Sequence, residues 1–425
     1  MKPNRFILFF LVAFLIGIPV IYNLPPVQER LGWRVAELVA GIKYAVSPPE
    51  QVVFVPEEKD VQATPADSNQ SATPLPSIPN TQTPAVKQPI SSPTPTATLK
   101  LIPKSKQLVG FRHEYQTWNN CGPATLSMAL SYWDWEGDQR PIAASTKPNS
   151  RDKNVMPYEL TAFVEEKTEF KVLSRVGGDI ELLKRLIASE LPVIVEKGFE
   201  GPDFEGWMGH YALVTGYNDS DQSFTLQDSY YGPDQTMEYQ ALETYWRGFN
   251  FTYLVVYPAD RDEDVLAILG SDSDEESNYR DAAQKASDEI YQLNDRDQYF
   301  AWFNRGTNLV LLQDYTGAAA AYDEAFALYP TIPEKQRPWR MMCYQTGPYW
   351  AYYYTGRYQD VINLATTTLD AMSEPVLEES YYWRALALQA SGDNKGAIAD
   401  LRASLKYHPG FEPALTQLQQ LNATP

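Results

Sequence analysis

"YQTWNNCGPATLSMALSYW", residues 115–133, holds Cys121, one of two cysteines in a chain of 425 residues. The residues after Cys121 read as a helix, so the thiol stands at a helix N-terminus. Free N–H groups and the helix dipole favour a thiolate there. Gly122 permits close backbone approach, and Pro123 suits a first helical turn. Read alone, Cys121 is also a small apolar residue suited to burial, the commoner role of a lone cysteine.

A nucleophile needs a base. The chain has three histidines. His408 ends the last helical stretch beside Pro409, and His113 sits in a polar loop ahead of Cys121. His210 opens a strand-like segment, "HYALVTGYN" (210–218). Asp228 closes the next one, "SFTLQDS" (223–229). If these two segments pair antiparallel, His210 and Asp228 lie near the same end of the pair. Asp228 can then orient the imidazole while His210 serves the thiol. The backbone N–H of Cys121 and the side-chain amide of Gln116 are candidate donors to a developing oxyanion. An ordinary loop glutamine is the plain alternative for Gln116.

Taken in order, "YQTWNNCGPATLSMAL", "GHYALVTGYN" and "LQDSYYG" resemble the peptidase C39-like family of papain-fold cysteine peptidases. The stretch from Asp152 to Lys197 fits that family's middle region, and the resemblance spans roughly 107–258. It implies that Cys121 is the nucleophile, His210 the general base and acid, Asp228 the orienting residue and Gln116 the oxyanion donor. The substrate would be a peptide or protein. Bacteriocin-processing members cut after a double glycine and are usually fused to an exporter. These residues carry no exporter or nucleotide-binding sequence, so that substrate is not expected to carry over. Two other readings use the same residues. One is a cell-surface scaffold that binds peptides without cutting. The other is a transglutaminase-like acyl transferase, which the Cys-Gly-Pro and Gly-His-Tyr elements fit less well.

The N-terminus is apolar from Phe6 to Tyr22, behind Lys2 and Arg5. That run is just long enough to cross a bilayer core. Residues 1–24 are read as an uncleaved signal anchor, with a secretory signal peptide as the rival. Lys2 and Arg5 place the rest of the chain outside the cytoplasm. Expected localisation is therefore single-pass at the cell membrane, or secreted if the segment is cleaved. Residues 25–104 hold a juxtamembrane helical pattern at 27–46 and then a Pro/Thr/Ser-rich stretch. Its composition predicts a disordered stalk.

Residues 105–260 regain globular texture. Helix signals at Cys121 and at "DIELLKRLIASE" (179–190, with Asp179 as N-cap) precede strand signals at 191–197, 210–218, 223–229 and 251–258. That order predicts an α+β papain-like cysteine peptidase domain. "EGPDFEGW" (200–207) reads as a solvated loop, or as a cleft rim that selects basic or small side chains. Trp118, Trp133 and Trp135 read as core or cleft wall. Residues 261–277 are acidic and read as a linker.

From 278 to 422 the pattern is helical and repetitive. Trp302, Gly306, Ala318, Tyr322, Ala325 and Pro330 share spacing with Tyr381, Ala385, Ala397, Leu401 and Pro409. A weaker copy surrounds Gly356 and Tyr358, and a half-copy covers 278–294. This resembles the tetratricopeptide repeat, an all-α solenoid. The resemblance implies a groove for a protein partner. The net charge of −19 argues against nucleic acid. Two cysteines and three scattered histidines offer no metal-ligand spacing, and no cofactor motif stands out.

Overall fold

A computed structural model of the chain describes residues 35, 38–57, 102–152, 154–200 and 206–425. The expected membrane helix at 1–24 and most of the expected stalk lie outside the described residues. Among the described residues, no helix is long and apolar enough to cross a membrane.

The α+β domain starts with β1 (Ser105–Gln107) and three helices, α1 (Cys121–Ser131), α2 (Gln139–Thr146) and α3 (Pro157–Lys167). Then come β2 (Lys171–Arg175), α4 (Ile180–Ala188), β3 (Val193–Phe199), β4 (Met208–Asn218), β5 (Ser223–Asp228), β6 (Gly232–Glu238), α5 (Tyr239–Arg247) and β7 (Tyr253–Tyr257). The strands form one antiparallel sheet in the order β2-β7-β3-β4-β5-β6, with β1 paired to the far end of β4. The short strands β2 and β6 carried no recognised signal in the sequence. Asp179 caps α4 as expected, accepting from the Leu182 N–H at 2.7 Å.

Side-chain alternation divides the core into two layers. Ile194, Tyr211, Leu213, Leu254 and Val256 pack on α1 and α3. Val193, Val195, Ala212, Val214 and Val255 face α4 and α5 on the opposite side. Trp133 and Trp135 join this packing: the Trp133 indole donates to the Val256 carbonyl at 2.8 Å, and Trp135 meets Phe163 edge-on. Trp118 stays 44% exposed.

The expected acidic linker at 261–277 is instead helical. α6 (Asp262–Leu269) buries Val265 and Leu269, and α7 begins at Glu275. Asp262, Glu263 and Asp264 fill the first turn of α6, where the helix dipole favours anions. The acidic run is therefore a helix start rather than a spacer.

The remainder is helix-rich: α7 (Glu275–Ile290), α8 (Asp295–Leu311), α9 (Tyr315–Leu328), α10 (Gly347–Tyr354), α11 (Tyr358–Ala371), α12 (Glu378–Ala390), α13 (Asn394–Tyr407) and α14 (Glu412–Gln420). Each packs against its neighbours in sequence. Between α9 and α10, residues 329–346 form three short 3-10 turns in place of a tight connection. This irregular stretch reaches back to the α+β domain. The Arg340 guanidinium donates to the Trp207 carbonyl at 3.2 Å, and the Gln345 amide donates to the Gly248 carbonyl at 2.7 Å. Trp207, the end of "EGPDFEGW", is buried and stacks on Phe249 at 5.1 Å, so it belongs to this junction's core. Residues 201–205 of that loop lie outside the described residues.

Residues 38–57, expected to lie in the juxtamembrane and stalk region, dock on the helices. Residues 38–46 are helical. Lys43 donates to the carbonyls of Asp370 at 2.7 Å and of Met372. Tyr44 meets Trp339 edge-on at 5.3 Å. Further on, Phe54 is 7% exposed and its ring sits 4.9 Å from Phe326. The Glu57 N–H donates to Asp360 at 2.8 Å, and Arg337 donates to the Glu50 carbonyl at 3.0 Å.

Candidate active site

Cys121 is the first residue of α1, preceded by Asn120 as N-cap. The loop that delivers it is fixed from two sides. The Gln139 side-chain oxygen, Oε1, accepts from the Thr117 N–H at 2.8 Å and from the Asn120 side-chain amide at 3.2 Å. The Gln139 amide donates to Glu114 and to the Tyr115 carbonyl, both at 2.8 Å. From the other side, the Lys147 ammonium donates to the carbonyls of Trp118 at 3.1 Å and Asn119 at 3.0 Å. Asn119 adopts a left-handed φ of 54° at the turn into the helix. A Cβ on Gly122 would lie 3.3 Å from the Tyr211 ring, a tight contact that glycine avoids where α1 meets β4. The Cys121 N–H has no backbone acceptor among the described residues. It is one of the free donors of a helix start.

His210 stands on β4, and Asp228 ends β5. The two strands pair antiparallel through Asn218↔Ser223 and Leu213↔Gln227, with a bulge between Val214 and Gly216. Both side chains are buried, and His210 Nε2 lies 3.0 Å from Asp228 Oδ1. The same carboxylate oxygen accepts from the N–H groups of Tyr230 at 2.9 Å and Tyr231 at 3.0 Å. The half-buried Cys121 thiol lies within the electrostatic reach of the His210 ring. With Nε2 engaged by Asp228, Nδ1 is the nitrogen left for sulfur.

The electrostatics follow from these contacts. Burial pushes the Cys121 thiol up, but His210, the Tyr211 N–H and Lys147 outweigh it and bring the thiol below its ordinary value. Burial pulls the His210 imidazole down, while Asp228 and Cys121 raise it to a net value above the ordinary one. Burial would also raise Asp228, yet His210, Lys197 and the Tyr231 N–H hold it well below the usual carboxylate range. Opposite shifts on thiol and imidazole favour a thiolate–imidazolium pair.

Gln116 is tied to the segment that follows Asp228. Its N–H donates to the Ser229 carbonyl, and its side-chain oxygen accepts from the Ser229 hydroxyl, both at 2.9 Å. That leaves the side-chain amide nitrogen as its remaining donor. The four residues singled out in the sequence thus fall on the α1 entry loop, the α1 start, β4 and β5. His113 and His408 are elsewhere: His113 lies edge-on to Tyr115, and His408 Nδ1 contacts Glu378 at 2.8 Å. Among the described residues no group of acidic, His or Cys side chains could hold a metal ion.

Three residues at the site went unread in the sequence. Gln139 holds the entry loop from 18 positions beyond Cys121, and nothing near it marks that task. Phe199 lies against the His210 ring at 5.1 Å and also meets Tyr230 and Tyr231. Lys197 pairs with His210 across β3 and β4. Lys197 ends the strand signal read at 191–197 and Phe199 lies two residues beyond it, and a strand buried along its whole length gives no alternation to assign their sides.

No curated protein matches the chain. Among solved structures, a C39-like peptidase from Bacillus anthracis is 15% identical, with a TM-score of 0.30, covering 36% of this chain and 96% of that one. The peptidase domain of Streptococcus ComA, described as a bifunctional ABC transporter involved in quorum sensing, is 14% identical with a TM-score of 0.28. It covers 35% of this chain and 98% of that one. Residues 102–254 match the model of the Peptidase_C39 like family, which places that similarity on the α+β part of the chain.

Proposed function

We propose that the protein is a cysteine peptidase that hydrolyses peptide bonds with Cys121, His210 and Asp228. The observation that carries this reading is the buried His210–Asp228 contact of 3.0 Å, with the Cys121 thiol drawn below its ordinary value by the same imidazole. The thiolate attacks the scissile carbonyl carbon, forming the C–S bond. The Cys121 N–H and the Gln116 amide receive the oxyanion. The tetrahedral adduct collapses as the imidazolium of His210 gives its proton to the leaving amine, and an acyl-enzyme remains. His210 then takes a proton from water, which attacks the acyl carbon. The C–S bond breaks, the acid product leaves, and the thiolate–imidazolium pair returns. Asp228 keeps the ring in place and stabilises its positive form throughout.

The helical region is proposed to be a tetratricopeptide-like stack that recruits a protein substrate or partner. Consecutive pairing of α8 with α9, α10 with α11, and α12 with α13 supports this. The apolar N-terminal run is proposed to anchor the protein in the cell membrane with these domains outside the cytoplasm. The test is labelling of the full chain with an electrophilic thiol probe at neutral pH. Wild type should react at Cys121 and His210→Ala should react far more slowly. Peptide-library cleavage, absent in Cys121→Ala, would identify the substrate. Equal labelling in wild type and His210→Ala, with no cleavage, would leave a peptide-binding scaffold instead.

A further inference from the structure

Lys197 is a nearly buried cation that among the described residues has no hydrogen-bonded counterion; Asp228 acts on it only through its charge. It is 3% exposed and, among the described residues, makes no hydrogen bond and no ion pair. The neighbouring carboxylates are engaged elsewhere. Asp228 holds His210 at 3.0 Å, and Glu200 pairs with Arg296 at 2.6 Å. Glu196, the next residue on β3, projects to the other face of the strand. A buried unpaired ammonium costs stability, and an apolar residue would pack here at less cost. In a chain of net charge −19, a nearly buried cation with no hydrogen-bonded acid among the described residues needs a reason.

Its position supplies one. Lys197 and His210 are register partners, and such pairs project to the same face of a sheet. That face continues the Val195 and Ala212 row, toward α4 and α5. The β7 ladder stops at Val195, so β3 runs on without it at Lys197. The ammonium lies 5.9 Å from the Phe199 ring centre and 6.0 Å from that of Tyr245, close to the outer limit of a cation–π contact. Cys121 arrives from α1, in the opposite layer. The imidazole therefore separates the thiol from the ammonium. A general acid stands beside the leaving group, so the leaving half of a peptide lies on the His210 side of the sulfur.

We propose that Lys197, framed by Phe199 and Tyr245, is an anion subsite that receives a carboxylate on the leaving half of the peptide substrate. The carboxylate is an acidic side chain or the free C-terminus. This rests on the nucleophile and base roles given to Cys121 and His210. Burial pulls the Lys197 ammonium below its ordinary value, with Asp228 and Cys121 acting against it. An arriving carboxylate restores the charged form, so binding is coupled to proton uptake.

Iodoacetate and iodoacetamide test this on the full chain. In both, the thiolate forms an S–C bond and iodide leaves. Only iodoacetate carries a carboxylate. The ratio of their rates at Cys121 cancels the intrinsic reactivity of the thiolate and reads the attraction for the anion. The wild-type ratio should exceed that of glutathione, and Lys197→Met should lower it about tenfold. A wild-type ratio no higher than glutathione's, or an unchanged ratio in Lys197→Met, overturns the subsite. If Lys197→Met fails to fold, Lys197→Gln repeats the measurement with a neutral polar side chain of similar length. The iodoacetamide rate and its dependence on His210 test the nucleophile separately. Protection of Cys121 by N-acetylated tripeptides separates the two carboxylate sources. Protection by a peptide with a free C-terminus assigns the terminal carboxylate, and protection by an amidated peptide containing glutamate assigns a side chain. Equal protection by a neutral amidated peptide, or protection by neither charged one, overturns the proposal.

Discussion

A Cβ on Gly209 would lie 2.8 Å from the Tyr344 ring and equally close to Phe249. Gly209 precedes His210 on β4, and Tyr344 belongs to the irregular stretch between α9 and α10. The helical region thus abuts the strand that carries His210. Gly209→Ala should force both rings to move and cost about 1–3 kcal/mol. Tyr344→Ala in the same chain should recover part of that loss, because the two changes share one contact. Urea unfolding of both single variants and the double variant measures the coupling.

Asp228→Asn keeps an oxygen for the N–H groups of Tyr230 and Tyr231 but removes the charge beside the imidazole. His210 then loses part of its upward shift, and the thiolate loses part of its support. Iodoacetamide labelling of Cys121 at pH 7 should slow about tenfold or more. The alkaline limb of the labelling profile should move to lower pH. An unchanged profile would show that Asp228 does not orient or charge the ring.

Gln139→Leu removes the hub of the Cys121 entry loop. The Thr117 N–H, the Asn120 amide and the Glu114 carboxylate lose their partner together. Leaving buried polar groups unpaired should cost about 2–4 kcal/mol in total. Denaturant unfolding gives the energy, and slower labelling of Cys121 in the still-folded protein shows that the loop positions the thiol.

Burial, with Glu378 next in importance, pushes the Asp152 carboxyl up to about 7, while the Asn154 N–H opposes the shift. Its folded value lies above its unfolded one, so the group holds an extra proton in the folded state. The associated stability is complete below about pH 4 and is lost as pH rises through about 7. Asp152→Asn removes this dependence. Thermal unfolding from pH 4 to 8 should show the variant gaining on wild type as pH rises, by at most about 4 kcal/mol.

Phe54→Ala empties the socket beside Phe326 and should cost about 3 kcal/mol of local stability. Hydrogen exchange of residues 49–57 should accelerate, while β3 to β5 stay protected. Equal exchange in variant and wild type would mean that Phe54 does not hold the segment.

The sequence was legible where function and local structure share residues. Cys121 reads as a helix start, and the register of β4 and β5 follows from two alternating runs with a short turn between them. Lys197 and Gln139 carry no local signal, because what they do depends on chains brought together by folding. The 261–277 stretch was misread because three acids in a row look like solvated linker. Their placement ahead of Val265 and Leu269 is also a helix N-terminus with a buried stripe. Phe54 was hidden by its surroundings. A short apolar run beside a Pro/Thr/Ser-rich segment gives no hint of a partner some 270 residues later.

The docking of Lys43 and Phe54 also resets a length. Measured to β1, the chain from Tyr22 to Ser105 could pay out at most about 300 Å when fully extended. Measured to Lys43, the first residue described as hydrogen-bonded to the helices, the same limit is about 75 Å. The greatest reach open to the chain between the apolar run and the helices is therefore a quarter of the reach to β1. Lengthening residues 58–101 would leave that radius unchanged, whereas releasing Lys43 and Phe54 would extend it fourfold.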